Sequence, residues 1–116
     1  MNRAESLYST LRAGGLDFFL SVPCKLLGDL IKKLEADPAI IHTPVSREEE
    51  GVGMACGAYL AGRRPAIVMQ NSGFGNSVNA ILALAKGLKL EAVAEGIERP
   101  DEFACIQQNL PDCTLQ

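Results

Sequence analysis

The sequence predicts an α/β fold, a three-layer flavodoxin-like sandwich around a parallel sheet of four to five strands in the order 2-1-3-4(-5). Short apolar runs of strand length alternate with segments whose apolar residues recur at helical spacing. The connections between them span only a few residues, which is typical of parallel sheets covered by helices on both faces. Right-handed crossovers then leave few strand orders, and a closed barrel would need about eight such units.

Length and charge narrow the class of protein. With 116 residues, of which 47% are hydrophobic, the chain is expected to form one domain over residues 1–116 with a core of ordinary size. The net charge of −3 and the absence of any Lys/Arg cluster larger than a pair argue against a nucleic-acid partner. No apolar run approaches the roughly 20 residues of a membrane span, and residues 1–15 lack the apolar core of a signal peptide. We therefore expect a cytoplasmic protein with no membrane partner.

The first helix and the first strand are predicted within residues 3–22. Residues 3–13 carry apolar side chains at helical spacing, and Gly14-Gly15 follow as a C-terminal stop. Residues 17–22, DFFLSV, are an apolar run of strand length. Pro23 ends this strand because it lacks the N–H that a central strand needs.

A second helix and a second strand are predicted next. In residues 25–37 the leucines and Ile31 follow a one-sided helical pattern, with the lysines and Glu35 on the other side. Pro38 ends this helix, and residues 39–45 supply a β-branched run that is interrupted at Pro44.

Ser46 is predicted to cap the third helix, which extends to Leu60. Glu49 follows three residues later, the spacing of a capping box in which a hydroxyl and a carboxylate satisfy each other's backbone N–H groups. On this interpretation Glu49 is structural. The alternative is a carboxyl group held at the sheet edge to exchange a hydrogen bond or a proton with a bound heterocycle. The spacing alone does not decide between the two.

A glycine-rich loop, NSGFGNS, is predicted after a third strand at residues 66–69, and it opens a helix at residues 74–88. Its backbone N–H groups could line an anion-binding nest, although it lacks the ending of a P-loop and has a single GxG. A strand-to-helix turn that needs glycine for backbone reasons explains the loop equally well. The remaining elements are predicted as a strand at residues 91–94, a helix at residues 100–108 and a strand at residues 113–115.

The cysteines and the histidine show no metal-binding spacing. The four cysteines are Cys24, Cys56, Cys105 and Cys113. They are far apart without a CxxC pair, and His42 is the one histidine. Cys56 and Cys105 lie among apolar neighbours, where a free cysteine behaves as a small hydrophobe. We expect no metal ligands in this chain and interpret His42 as a structural residue.

Three stretches of the sequence resemble one known family. They read DFFLSVPCKLL, VSREEEGVGMACGAYLAG and IVMQNSGFGNSVNA, in this order. From about Leu16 to Leu84 the chain resembles the pyrimidine-binding domain of thiamine-diphosphate-dependent 2-oxoacid decarboxylases. The resemblance is strongest to the alpha subunits of sulfopyruvate decarboxylases and to the related phosphonopyruvate decarboxylases, and the combination of the three stretches is highly specific.

The resemblance implies a site and assigns residues to it. It implies a glutamate that hydrogen-bonds N1′ of the cofactor's aminopyrimidine, and Glu49 stands at that position, two residues before Gly51. It also implies that the Asn71-Ser72-Gly73 turn approaches the aminopyrimidine and that Val22-Pro23 lies near the reacting carbonyl. Glu49 is thus the implied catalytic residue, and all these residues except Gly51 are implied cofactor contacts.

The resemblance also implies what this sequence lacks. The family holds diphosphate and Mg²⁺ on a separate pyrophosphate domain, through a GDG motif followed by an asparagine. The nearest match here, Gly28-Asp29-Leu30, falls inside a predicted helix. Thiamine diphosphate with Mg²⁺ is therefore an implied cofactor, and a pyrophosphate-domain (beta) subunit would have to supply the other half of its site. Since pyrimidine-binding domains work at subunit interfaces, a homodimer is a further expectation.

The tail resembles a different family. Residues 81–116, which begin ILALAKGLKLEAVAEGIE, resemble the C-terminal end of the EAL domain, a barrel-type phosphodiesterase of cyclic di-GMP. Glu95, Glu98 and Gln116 fall on functional positions of that family, but the strands that complete its two-metal site are absent. We therefore expect a chimera in which residues 1–82 are pyrimidine-binding-like and residues 83–116 are EAL-like.

Two functions are consistent with these resemblances. The first is a non-catalytic, chimeric α/β scaffold derived from the pyrimidine-binding part of a decarboxylase, and the change of family near Leu82 favours it. The alternative is an alpha-type subunit of sulfopyruvate or phosphonopyruvate decarboxylase, active only with a pyrophosphate-domain partner. In the second case the resemblance makes Glu49 the residue that activates the cofactor.

Overall fold

The computed structural model describes residues 2–87, 93–94 and 114–115, which contain four α-helices and five strands. The helices are α1 (Arg3–Ala13), α2 (Gly28–Ala36), α3 (Glu48–Leu60) and α4 (Asn71–Gly87). The strands are β1 (Phe18–Ser21), β2 (Ile41–Pro44), β3 (Pro65–Val68), β4 (Val93–Ala94) and β5 (Thr114–Leu115). A short 3₁₀ turn, Lys25–Leu27, precedes α2. The helix predicted at residues 100–108 lies outside the described residues.

The central sheet has three parallel strands in the order β2-β1-β3, which confirms the first three positions of the predicted order. In its register Ser21 lies opposite both Pro44 and Val68, so the three strands end at the same level. Strands β4 and β5 form a separate parallel pair. A single sheet of four to five strands is therefore not confirmed.

Helices cover both faces of the three-stranded sheet, as predicted. Phe19 is fully buried on one face, where it packs with Leu30 and Leu34 of α2 and with Val68. Helix α1 contacts α2 on this side. Since successive strand residues point to opposite faces, the fully buried Leu20 faces the other side, where α3 contacts β1 and β3. Helices α1 and α2 form the first layer of the sandwich, the sheet forms the second, and α3 forms the third.

Helix α3 approaches the sheet closely because Gly51 has no side chain. A Cβ added at Gly51 would lie 3.3 Å from Val45 Cγ2 and 3.6 Å from Ile67 Cγ2. The close approach brings the first turn of α3 down onto the end of the sheet where β2 finishes.

Two glycines make the turns that return the chain to the sheet. Gly15 after α1 has φ 79° and Gly62 after α3 has φ 85°, a backbone region that favours glycine. The predicted stop at Gly14-Gly15 is thus confirmed. Beyond Gly62, the Arg64 backbone N–H donates a 2.9 Å hydrogen bond to Asp17, and Arg63 pairs with the same carboxylate at 3.1 Å. These bonds lower the pKa of Asp17 and join the starts of β1 and β3.

The predicted capping box at Ser46 is not formed. Helix α3 begins at Glu48, and the cap position belongs to Arg47, whose backbone is extended and whose side chain makes no capping hydrogen bond. Ser46 is therefore one residue too far from the helix to cap it. Its backbone N–H instead donates to Glu50 Oε2 at 3.3 Å, so the carboxylate that reaches back is Glu50 and not Glu49.

The glycine-rich loop is also shorter than predicted. Helix α4 begins at Asn71, three residues before the predicted start at Phe74, and the Gly73 N–H already bonds to the Gln70 carbonyl at 2.9 Å. The segment Asn71-Ser72-Gly73 is thus the first turn of a helix, and the connection from β3 is confined to residues 69–70.

The chain divides into two compact units, Met1–Ser77 and Val78–Gln116. The sheet of β1, β2 and β3 lies in the first. That residues 1–116 form one domain stays a prediction. None of the helices in the described ranges is long and apolar enough to cross a membrane.

Candidate functional site

The carboxyl-terminal edge of the three-stranded sheet brings three chain segments together. Because the strands end level, the residues that follow Ser21, Pro44 and Val68 leave the sheet side by side. Val22 N–H donates to the Val68 carbonyl at 3.0 Å, and Val45 N–H donates to the Ser21 carbonyl at 2.8 Å. This is the edge at which open α/β sheets place their ligands.

Glu48, the first residue of α3, lies against the first turn of α4. A Cβ added at Gly73 would clash with Glu48 Oε1 and would lie 2.8 Å from Cδ and 2.9 Å from Cγ. Asn76 Nδ2 donates to Glu48 Oε2 at 3.5 Å. The structure therefore holds one carboxylate between the helices that follow β2 and β3.

Glu49 and Glu50 point to other partners. Glu49 pairs with Arg47, with Oε2 lying 3.2 Å from Nε and Oε1 lying 3.4 Å from Nη2. Glu50 accepts the Ser46 N–H. Together with Ser46 and Arg47, these two glutamates line an open depression on the surface. Consecutive residues of a helix point about 100° apart, which is why three adjacent glutamates have three different environments.

The helical spacing also places Glu48 on the inner face of α3. The residues of α3 that are buried are Gly51, Val52 and Ala58, and Ala55 is half-buried. Glu48 lies three, four and seven residues before Gly51, Val52 and Ala55, which is the spacing of a single helix face. This periodicity explains why Glu48, and not Glu49, contacts α4. The role that the resemblance implies for Glu49 stays a prediction.

The predicted residues on α4 do lie at this edge, at the amino end of the helix. Asn71 and Ser72 are exposed, whereas Gly73 is buried. The first N–H groups of a helix lack intrahelical partners, and the helix dipole favours negative charge there. The Glu48 carboxylate therefore lies at a helix end that suits an anionic group.

The predicted pair Val22-Pro23 lies where β1 leaves the sheet, with Val22 half-buried and Pro23 exposed. The next residue, Cys24, has a free thiol that donates to Gln70 Oε1 at 3.2 Å. This contact links the segment after β1 to the segment after β3. It was not predicted, because nothing in the sequence pairs two residues so far apart.

His42 forms a pair inside the fold. Its Nε2 lies 2.9 Å from Oγ of Ser21, which is fully buried. Burial lowers the pKa of His42, and the nearby charge of Glu35 opposes that shift in part. Burial thus favours the neutral form of the ring, which lies next to a buried hydroxyl.

Metal ligands are not clustered in the described part of the chain, where no group of three or more His, Cys, Asp or Glu side chains could hold an ion. Cys24 and Cys56 are free thiols there. Cys105 and Cys113, and with them Glu95, Glu98 and Gln116, lie outside the described residues.

The sequence matches the family described as "Thiamine pyrophosphate enzyme, N-terminal TPP binding domain" over residues 1–92. The chain belongs to this family. Within it, the chain is 50% identical over 111 residues to the sulfopyruvate decarboxylase subunit alpha of Methanococcus maripaludis, covering 96% of this chain and 66% of that protein. Its identity to the same subunit of Methanothermobacter thermautotrophicus is 50% over 84 residues, or 72% of this chain and 51% of that protein. The phosphonopyruvate decarboxylase of Streptomyces viridochromogenes is 34% identical over 90 residues, covering 78% of this chain and 23% of that protein.

The chain therefore spans between half and two thirds of the length of these alpha subunits. The family membership confirms the resemblance that rests on residues 16–84, and it implies dependence on thiamine diphosphate.

The expectation of a chimera finds no support in these comparisons. An alignment that covers 111 of the 116 residues runs well into residues 83–116, so the likeness to sulfopyruvate decarboxylase alpha subunits continues across the supposed junction near Leu82. With the junction unsupported, the main argument for a non-catalytic scaffold is lost.

Proposed function

We propose that this chain is the alpha-type subunit of a thiamine-diphosphate-dependent decarboxylase that acts on sulfopyruvate or phosphonopyruvate. The observation that carries the proposal is the first turn of α3, which brings Glu48 and Glu49 to the carboxyl-terminal edge of the sheet, next to the first turn of α4. Support also comes from the names of the relatives, which are sulfopyruvate decarboxylase alpha subunits and phosphonopyruvate decarboxylases.

The residues at this edge fit the aminopyrimidine half of the cofactor. A carboxylate can exchange a hydrogen bond with a ring nitrogen, and the missing side chain of Gly73 leaves the space that Glu48 occupies. The cofactor, when bound, stabilises the carbanion formed as the carboxylate of a 2-oxoacid is lost. The proposed cofactor contacts are Val22, Pro23, Asn71, Ser72 and Gly73.

Two adjacent glutamates compete for the role at the ring nitrogen. The resemblance pointed to Glu49, but that side chain pairs with Arg47. Glu48 lies on the buried face of α3 and contacts the helix that carries Asn71, Ser72 and Gly73. Because the exposed ion pair with Arg47 is weak and can open, we keep the catalytic carboxylate at Glu49, as the resemblance implies, and Glu48 is the alternative that mutation must exclude.

The proposed partner is a pyrophosphate-domain subunit that holds diphosphate and Mg²⁺. In this chain the nearest likeness to the metal-binding motif, Gly28-Asp29-Leu30, forms the first turn of α2, with Leu30 buried in the core. The backbone of this segment forms helical hydrogen bonds and the Leu30 side chain packs in the core, so the segment is not proposed to bind the metal. This chain is proposed to contribute the aminopyrimidine side of a shared site.

The proposal is tested by reconstitution with a pyrophosphate-domain subunit, thiamine diphosphate and Mg²⁺. Release of CO₂ from sulfopyruvate and from phosphonopyruvate is measured, with pyruvate as the control substrate. We expect decarboxylation of at least one of the first two that requires both subunits and the cofactor. Calorimetric titration of the assembled complex with the cofactor supplies an independent readout, and the absence of both binding and turnover would refute the proposal.

A further inference from the structure

We propose that Lys25 is a substrate-binding residue that recognises the sulfonate or phosphonate group by which the proposed substrates differ from pyruvate. The inference rests on the proposed function, because it assumes a 2-oxoacid substrate with a second anionic group. It goes further by assigning recognition of that group to one side chain, at the start of the 3₁₀ turn that precedes α2.

Lys25 lies at the carboxyl-terminal edge of the three-stranded sheet, where β1 has ended and the chain turns toward α2. It follows Pro23, one of the proposed cofactor contacts, by two residues. Strand β1 is the central strand, so the segment after it leaves the sheet between the segments that follow β2 and β3. A ligand bound at this edge of an open sheet is therefore close to the turn that carries Lys25.

The backbone that carries Lys25 is anchored on both sides. Before it, the Cys24 thiol donates to Gln70 Oε1 at 3.2 Å, which ties the turn to the segment after β3. After it, the half-buried Leu27 packs against the core cluster, and its N–H donates to the Cys24 carbonyl at 3.1 Å. The lysine side chain is exposed on a turn whose backbone is fixed, so less order has to be created when an anion binds there.

Lys25 is a cation without a carboxylate partner in the described ranges. The ion pairs that those ranges contain involve other cations, namely Arg12, Lys33, Arg47 and Arg63. Arg47 also lies at the carboxyl-terminal edge, but its guanidinium is engaged with Glu49. In the described part of the subunit, Lys25 can therefore take an anionic partner without giving up another.

The proposed substrates need a cation at this edge. Sulfopyruvate and phosphonopyruvate carry an oxyanion group on the carbon that is the methyl group of pyruvate, in addition to the carboxylate. The first turn of α3 contributes three carboxylates, Glu48, Glu49 and Glu50, which repel a substrate with two anionic groups. An ammonium group that donates hydrogen bonds to the oxyanion offsets this repulsion. Since the methyl group of pyruvate gains nothing from the ammonium group, Lys25 favours the substrates with the second anion.

Three variants isolate the charge of this side chain. Lys25→Met removes the charge and keeps an unbranched side chain, whereas Lys25→Arg keeps the charge. Lys32→Met is the matched control, because Lys32 is an exposed lysine in the middle of α2 and its loss changes the net charge by the same amount. Since both lysines are exposed, we expect all three variants to unfold in urea at the midpoint of the wild type.

The first arm of the experiment measures kcat and KM for sulfopyruvate and phosphonopyruvate in the complex with a pyrophosphate-domain subunit, thiamine diphosphate and Mg²⁺. We expect Lys25→Met to lower kcat/KM by about tenfold to hundredfold, chiefly through KM, the usual loss when a hydrogen bond to a charged group is removed. Lys25→Arg should restore most of this loss, and Lys32→Met should change kcat/KM by less than about twofold. Added salt should raise the KM of the wild type more than that of Lys25→Met.

The second arm tests the oxyanion group itself with inhibitors that cannot be decarboxylated in the same way. Sulfoacetate and phosphonoacetate carry a carboxylate and the second anion, and acetate carries the carboxylate alone. In the wild-type complex the first two should inhibit about tenfold more strongly than acetate, and Lys25→Met should remove most of this difference. An equal weakening of all three inhibitors would overturn the inference, because the lysine would then act on the shared carboxylate.

The outcomes separate this inference from the proposed function. If the wild-type complex decarboxylates either substrate and Lys25→Met does so with an unchanged kcat/KM, the proposed function stands and the role of Lys25 is refuted. If the wild-type complex decarboxylates neither substrate, the proposed function fails and the role of Lys25 fails with it. Calorimetry measures cofactor affinity on the same complexes. A loss of cofactor affinity in Lys25→Met that equals its loss of kcat/KM would also overturn the inference, because the lysine would then hold the cofactor.

Discussion

Glu49 Oε2 lies 3.2 Å from Nε of Arg47, whereas the carboxylate of its neighbour Glu48 contacts Gly73. This arrangement predicts opposite results for two adjacent substitutions. Glu49→Gln keeps the shape of the side chain but removes its negative charge, so the cofactor-dependent decarboxylation should fall by about 10²- to 10⁴-fold, the usual contribution of a positioned acid or base. Glu48→Gln keeps a polar side chain of the same shape beside Gly73 and Asn76 and should change the rate little.

Steady-state decarboxylation by the reconstituted complex measures this difference, with the cofactor affinity of each variant determined in parallel. Glu50→Gln is the second control, since Glu50 contacts the Ser46 N–H. A large loss with Glu48→Gln and none with Glu49→Gln would contradict the assignment to Glu49 and would support the alternative at Glu48.

The capping residues give a second prediction, on stability. Asn2 caps α1, with its Oδ1 accepting the Glu5 N–H at 2.9 Å, whereas the Ser46 side chain does not cap α3. Asn2→Ala should therefore reduce the free energy of unfolding by about 1 kcal/mol, and Ser46→Ala should change it by less than about 0.5 kcal/mol. Denaturant unfolding of both variants checks the pair. A larger effect at Ser46 would mean that the hydroxyl caps the helix in solution.

The fold was predictable from sequence where hydrophobic periodicity defines it. The apolar run around Phe19 and the one-sided pattern that includes Leu30 and Leu34 are the residues that form the core, so β1, α2 and their contact could be read directly. Element ends were less predictable. Local rules place a cap at Ser46, but the chain remains extended through Arg47, which moves the start of α3 by one residue and leaves the capping box unformed.

The place of the candidate site in the fold was predictable from the strand order. The sheet edge and the Asn71-Ser72-Gly73 segment were expected, because the ends of parallel strands meet at one edge. Which of three adjacent glutamates contacts α4 depends on the helical phase, which the buried residues of α3 define. The contact of Glu48 with Gly73 joins positions that are distant in sequence, so only the folded arrangement reveals it.

The bond between α1 and the end of α2 gives a third prediction. The Tyr8 hydroxyl donates to Asp37 Oδ2 at 2.6 Å, and Arg12 pairs with the same oxygen at 3.1 Å. The hydrogen bond from Tyr8 is the largest cause of the lowered pKa of Asp37, and the Ala39 N–H and Arg12 contribute less. The same hydrogen bond raises the pKa of Tyr8. Tyr8→Phe should therefore raise the pKa of Asp37 toward its ordinary value.

The sign of the effect on stability follows from that shift. A carboxyl group whose pKa is lowered in the folded state stabilises the fold above its unfolded pKa, and this contribution is lost as the pH falls through the folded value. In Tyr8→Phe the pKa of Asp37 should lie closer to its unfolded value, so the carboxylate contributes less to stability. Acidification below pH about 4 should therefore destabilise the variant less than the wild type. An NMR titration of the Asp37 carboxyl carbon in both proteins measures the pKa directly. An unchanged pKa would show that another group holds the Asp37 charge.

The pair formed by His42 and Ser21 gives the fourth prediction. Burial lowers the pKa of His42 in the folded state, and the charge of Glu35 opposes this shift. As the pH falls below about 6.5, the histidine of the unfolded chain is therefore protonated before that of the folded protein. Stability contributed by the neutral ring is thus present above that pH and is lost as the pH decreases toward the folded pKa. The free energy of unfolding should therefore decrease between pH about 7 and pH about 5, before the carboxylates titrate.

Replacing His42 by glutamine isolates this contribution, because the glutamine amide can hydrogen-bond Oγ of Ser21 but does not titrate. We expect His42→Gln to be less stable than the wild type near neutral pH and to show a flatter dependence between pH about 5 and pH about 7. Asp37 should titrate identically in both proteins, which provides the internal control. The same slope in the variant would show that His42 does not control stability in this range and that its ring is open to solvent in both states.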